Sequence, residues 1–169
     1  MSREGALVLM LALALLLICL MALGWWRRTK RDAGLHAPFG EPPAGAAANA
    51  TFTALYVATT VHDVPLERLA IKGLGFRSRV SIGVFDTGVT LDLPGTRRVY
   101  IPAEAIVSVA QATVAIDRVV ERDGLTRLTW RIDGETLVDS YFRPQDVSAR
   151  ALAAAIEPLT PTSPTGNPA

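Results

Sequence analysis

Lys72, Arg77 and Arg79 place three cations within eight residues, around a Gly73-Leu74-Gly75 turn. Alternate strand residues project to one face, so Arg77 and Arg79 are spaced to clamp one phosphate, while Lys72 adds charge from a glycine-flanked loop. The same spacing fits a solvated strand edge in a chain with 15 arginines and two lysines, and both readings stay open. His62 beside Asp63 suggests acid–base work. No Gly-x-Ser-x-Gly turn, phosphate loop or zinc spacing accompanies the pair, so His62 reads as a surface turn residue. Glu121 and Asp123 fall at a hairpin tip, where turn propensity explains them. His36 has no second ligand nearby and reads as solvated. Trp130 alternates with polar Thr129 and Arg131 and reads as core. No catalytic residue, cofactor or metal is expected, and the chain reads as a non-enzyme.

The elements that must carry these residues follow from composition. The chain has 169 residues and is 50% hydrophobic, but from Ala6 to Trp26 every residue except Gly24 is apolar. That run, 21 residues rising about 31 Å as a helix, matches a hydrocarbon core of about 30 Å. A cleaved signal peptide has a shorter apolar region ending in small residues; here the run ends in Trp25-Trp26 and then Arg27, Arg28, Lys30 and Arg31. An aromatic belt followed by a basic cluster predicts a retained anchor, the N-terminus outside and the bulk of the chain cytoplasmic, at the plasma membrane. Cys19 lies inside the run, preceded by Ile18 where a lipobox needs a small residue. Small residues four apart are missing from the run, so nothing favours helix-driven dimerisation. No second apolar stretch exists to build a channel or carrier from one chain.

Residues 51–169 carry 12 basic and 13 acidic side chains. A net charge of −1 argues against nucleic acid as a partner. It also predicts that the isolated domain binds anionic vesicles weakly or not at all, the juxtamembrane cations being the ones placed to meet headgroups. The single cysteine excludes an internal disulfide.

Residues 27–50 read as a basic juxtamembrane segment and then a Pro-, Gly- and Ala-rich tether with a reach of about 25 Å. From Thr51 the pattern is that of an antiparallel sheet. A first strand of about ten residues is followed by a brief helix, with Asp63 as N-cap, Pro65 early and Leu66, Leu69 and Ala70 on one face. Val80, Ile82 and Val84, then Val89, Leu91 and Leu93, alternate with polar residues as two strands around Asp86-Thr87-Gly88. Arg98 to Ile101 and Ala105 to Val109 extend the sheet on either side of Pro102, Ile116 to Val120 resumes it, and Asp123-Gly124 makes a hairpin into Leu125 to Ile132. A second Asp-Gly, Asp133-Gly134, leads to Leu137 to Phe142. Val147, Leu152, Ile156 and Leu159 among alanines read as one closing helix entered after Pro144 and stopped near Pro158, and residues 160–169 read as a disordered tail.

The seven-strand meander, the joint Tyr100-Ile101-Pro102-Ala103-Glu104-Ala105-Ile106 with Val109 beyond it, the Leu128-Thr129-Trp130 strand and the closing helix resemble bacterial pleckstrin-homology-like (PH-like) domains. With its anchor, the whole chain resembles actinobacterial single-pass membrane proteins carrying a cytoplasmic PH-like domain. That resemblance implies a mainly β fold over residues 51–159, a split barrel of about seven strands in two sheets capped by a C-terminal helix. The Lys72, Arg77, Arg79 spacing is similar to the basic signature of phosphoinositide-binding PH domains, which bacterial membranes generally cannot engage as such. Expected partners are the lipid bilayer and a membrane or cytoplasmic protein. The expected function is a membrane-anchored binding or scaffolding module, the alternative being an accessory subunit of a transport or export complex.

Overall fold

A computed structural model describes residues 3–115, 118, 119 and 124–161. The chain divides into two compact units, Met1–Gly34 and Leu35–Ala169. The first is helix α1 (Arg3–Arg31), long and apolar enough to cross a membrane. Its large side chains from Leu7 to Trp26 are 45–76% exposed, a surface suited to lipid rather than water. At its end Thr29 Oγ1 donates to the Trp25 carbonyl, Lys30 Nζ lies 5.2 Å over the Trp26 ring, and Arg31 pairs with Asp32 at 2.8 Å.

In the second unit, β1 (Ala50–Val61), β2 (Val64–Arg68), β3 (Ser78–Phe85), β4 (Gly88–Asp92), β5 (Val99–Pro102), β6 (Ile106–Ala112), β7 (Val114–Ala115), β8 (Arg118–Val119), β9 (Leu125–Arg131) and β10 (Leu137–Pro144) precede helix α2 (Ala149–Ile156). Seven strands pair antiparallel in the order β5-β4-β3-β1-β10-β9-β6, with β2 against the end of β1 and β7–β8 a separate hairpin. Of the expected strand from Ile116 to Val120, only Arg118 and Val119 are described; Glu121 and Asp123 and most of the Asp123-Gly124 hairpin lie outside the described residues.

β1 serves both halves. Residues 50–56 pair with β3 and residues 54–61 with β10, with a bulge between Tyr56 and Ala58. A bulge bends a strand and raises its twist, so hydrogen bonding runs continuously through β1 as one bent sheet where the resemblance implied two. The sheet is not closed: β5 and β6 remain its edges. Tyr56, Ile82, Leu91, Ile101, Ile106, Leu128, Trp130 and Phe142 fill its concave side under Leu152 and Ile156 of α2. Ser148 caps α2 by accepting from the Ala151 N–H at 3.1 Å. The buried core residues run from Ala37 to Ile156 and include none of α1.

Two expectations fail. The helix after Asp63 is instead strand β2. His62 and Asp63 turn the chain back, Asp63 in the left-handed region at φ 57, and Leu69 N–H donates to the Thr59 carbonyl at 2.9 Å. Leu66 is therefore 69% exposed, whereas Leu69 is buried. The tether is also not free throughout. Ala37 is buried, Phe39 bridges Val99, Gly40 N–H donates to the Arg98 carbonyl at 3.1 Å, and Tyr100 N–H donates to the Pro38 carbonyl at 2.8 Å. Residues 38–40 thus form a strap along the β5 edge, fastened further by the ion pair of Glu41 with Arg98, whose guanidinium Asp92 of β4 also holds.

Candidate functional site

The segment from Leu69 to Arg79, which joins β2 to β3, is pinned from below and charged above. Leu69, Ile71 and Leu74 are buried. Ile71 accepts from Leu74 N–H at 3.0 Å, and Gly73 turns between them at φ 92. The Leu74 carbonyl accepts the Tyr56 hydroxyl at 2.7 Å. Tyr56 also lies 2.9 Å from Thr59 Oγ1, Thr59 lies 2.7 Å from Ser140 Oγ, and Trp130 Nε1 donates to Ser140 Oγ at 2.9 Å. A phenol has one proton. With that proton on the Leu74 carbonyl, the relay runs in one direction, Trp130 to Ser140 to Thr59 to Tyr56 to Leu74, and every hydroxyl both donates and accepts. Burial raises the Tyr56 phenol above its ordinary range, because the phenolate would lose its water.

Above this base, Lys72, Arg77 and Arg79 are all exposed. Arg79 sits on β3 opposite Leu55, with Arg77 two residues before it. Among the described residues none of the three side chains makes an ion pair. Phe76, absent from the sequence reading, is 86% exposed. A large aromatic held out beside unpaired cations contributes nothing to the core. The signal for it was available: an aromatic placed between Gly75 and Arg77 has no alternation partner in β3. Of the juxtamembrane set, Trp25, Trp26, Arg27, Lys30 and Arg31 lie on the last turns of α1, and the Arg28 side chain lies outside the described residues.

A second cluster joins residues far apart in sequence. Asp139, fully buried on β10, accepts from Thr129 Oγ1 at 2.7 Å and from Asp63 N–H at 3.1 Å, and lies 3.0 Å from His62 Nδ1. His62 Nε2 is 3.3 Å from Asp63, and Arg127 approaches Asp63 at 3.5 Å and Asp139 at 3.9 Å. A ring nitrogen of His62 and carboxylate oxygens of Asp63 and Asp139 are near enough to one another to hold a cation, but Arg127 already supplies positive charge and the Asp139 oxygens are occupied by donors. The cluster clamps the β1–β2 turn onto β10. Sequence reading saw His62 beside Asp63 and missed Asp139, which pairing across β1 and β10 brings in.

An open, strongly bent antiparallel sheet wrapped on one core, plugged by a C-terminal helix and carrying a basic segment between β2 and β3, is the architecture of a PH-like domain. The chain belongs to the bacterial PH domain-like family, whose pattern matches residues 36–157. That match begins within two residues of the strap. No curated protein matches the chain.

Proposed function

We propose that this protein is a membrane-anchored PH-like binding module without enzymatic activity. In this reading α1 is a single-pass anchor with its N-terminus outside, the domain is cytoplasmic, and the Lys72–Arg79 segment is its contact with anionic surfaces. The observation that carries the reading is Phe76, exposed beside three unpaired cations on a pinned loop.

The magnitudes fit a tethered contact. Three cations near an anionic leaflet contribute about 1 kcal/mol each, and burying a phenylalanine side chain about 2 kcal/mol. The sum, about 5 kcal/mol, corresponds to a Kd on the order of 0.2 mM. That is weak for a free domain, in keeping with its net charge, yet sufficient when an anchor holds the domain at an effective concentration of about a millimolar. The test places benzoyl-phenylalanine at position 76 of the full chain in nanodiscs. Photocrosslinks to lipid are expected in phosphatidylglycerol discs, with loss in phosphatidylcholine discs and in the Arg77→Ala/Arg79→Ala variant. Equal crosslinking in both lipids, or none, refutes the contact. Protease added to sealed cells tests the orientation: removal of the domain without lysis refutes it.

A further inference from the structure

The three strand edges of the sheet are treated differently. β5 is covered by the chain's own residues 38–40. β2 contains Pro65, Glu67 and Arg68. β6 reads Ile-Val-Ser-Val-Ala-Gln-Ala, without proline or charge, and among the described residues it pairs only with β9. Edge strands are ordinarily blunted by charge, proline or cover, because their free N–H and C=O groups template pairing with another chain. A bare seven-residue edge therefore marks a place for a further strand.

Beside that edge is a cavity of about 210 Å³ between β6 and α2, with Ala110, Ala153 and Ala154 among its small lining residues and Arg150 and Glu157 bounding it. Arg150 and Glu157 are both exposed. They stand two helical turns apart, about 10 Å, and among the described residues neither makes an ion pair. Positive charge, small residues and negative charge in line form a surface complementary to itself turned end for end. An interface between identical chains about a two-fold axis requires such self-complementarity; a foreign strand would not.

We propose that β6 is a homodimer seam, in which two copies pair β6 antiparallel about a two-fold axis and Arg150 of each meets Glu157 of the other. The residues involved are distinct from the Lys72–Arg79 loop, so this proposal stands apart from the lipid contact. A strand pair flanked by one helix is small, so the dimer belongs to the weak class that a membrane anchor concentrates.

The experiment measures self-association by analytical ultracentrifugation of residues 35–169, whose core contains nothing from α1, and by cysteine crosslinking of the full chain carrying Gln111→Cys on the exposed part of β6 in membranes. The wild type is expected to reach monomer–dimer equilibrium. Arg150→Glu places Glu against Glu at both ends, and Glu157→Arg places Arg against Arg. Each alone is expected to weaken the dimer about 30-fold, about 2 kcal/mol at 1.4 kcal/mol per tenfold. Mixing the two variants makes both ends complementary again and restores a heterodimer of near wild-type affinity. Both side chains are exposed, so melting temperatures report folding independently. A wild type that stays monomeric to millimolar concentration and uncrosslinked in membranes overturns the proposal. So does a dimer indifferent to both substitutions, or variants that fail to complement on mixing.

Discussion

Replacing Tyr56 by phenylalanine removes one oxygen from the relay beneath the basic loop and leaves the ring in place. The cavity term is close to zero, and the change isolates hydrogen bonding. Two contacts are lost, at 2.7 Å to the Leu74 carbonyl and at 2.9 Å to Thr59, each with a net value of about 1 kcal/mol. The Leu74 carbonyl and the Thr59 proton are left with no partner in the core, where an unsatisfied group costs about 1–3 kcal/mol in full. Thr59 recovers part of this by rotating its hydroxyl, so the expected destabilisation is about 2 kcal/mol. In urea, with a slope of about 2 kcal/mol/M, the midpoint of residues 35–169 falls by about 1 M with the slope unchanged. Amide exchange at Leu74 and Phe76 accelerates more than exchange in β9, because the loop loses its pin before the sheet loses its core. A midpoint within 0.2 M of wild type refutes the claim that the relay stabilises the fold. A lower midpoint with uniform exchange refutes its role in holding the loop.

Alkaline stability gives a second reading of the same phenol. Tyr56 holds its proton to higher pH folded than unfolded, so the folded state binds more protons above pH 10 and stability falls as pH rises through the ordinary phenol value, by up to about 1.4 kcal/mol per pH unit. Below that value the contribution is fully present. Chemical denaturation from pH 8 to 11 should show this decline in the wild type and a shallower one in Tyr56→Phe, where Tyr141, also raised by burial, remains; parallel curves refute the assignment. Gly73→Ala forces a side chain into the left-handed region at φ 92 and sets its Cβ 2.8 Å from Phe39 Cζ. An expected loss of about 2 kcal/mol should come with faster limited proteolysis between Leu35 and Ala50, and unchanged cleavage there contradicts the strap.

Strands β3 and β4 were legible because Val80, Ile82, Val84, Val89 and Leu91 alternate with residues able to face outward, and α2 because Leu152 and Ile156 fall four apart between a cap and a proline. β2 was not, since Pro65, Leu66, Leu69 and Ala70 satisfy a helical period as readily as an irregular strand. What decides is the left-handed Asp63 and the clamp on Asp139, 76 residues away in sequence. The strap failed for a related reason. Pro38, Phe39 and Gly40 have the composition of a tether, and their partners Arg98, Val99 and Tyr100 are known only once the sheet is assembled. Lys72, Arg77 and Arg79 are exposed, as charge alone dictates, whereas the exposure of Phe76 is not legible because periodicity registers apolar residues as core.

The strap also gives the domain a mechanical order. Residues 36–40, where His36 bridges Lys72 and Phe39 bridges Val99, are the first paired part of the second unit that tension arriving along the chain from α1 would load. Their hydrogen bonds to Arg98 and Tyr100 lie one after another along the β5 edge, so such a pull opens them in succession, as a zipper. Behind them, Asn49 is tied to Val84 and Asp86, and β1 runs between β3 and β10 with both of its sides bonded, so that strand resists together. Force transmitted through α1 thus parts His36 from Lys72 and bares the β5 edge first, while the core stays folded.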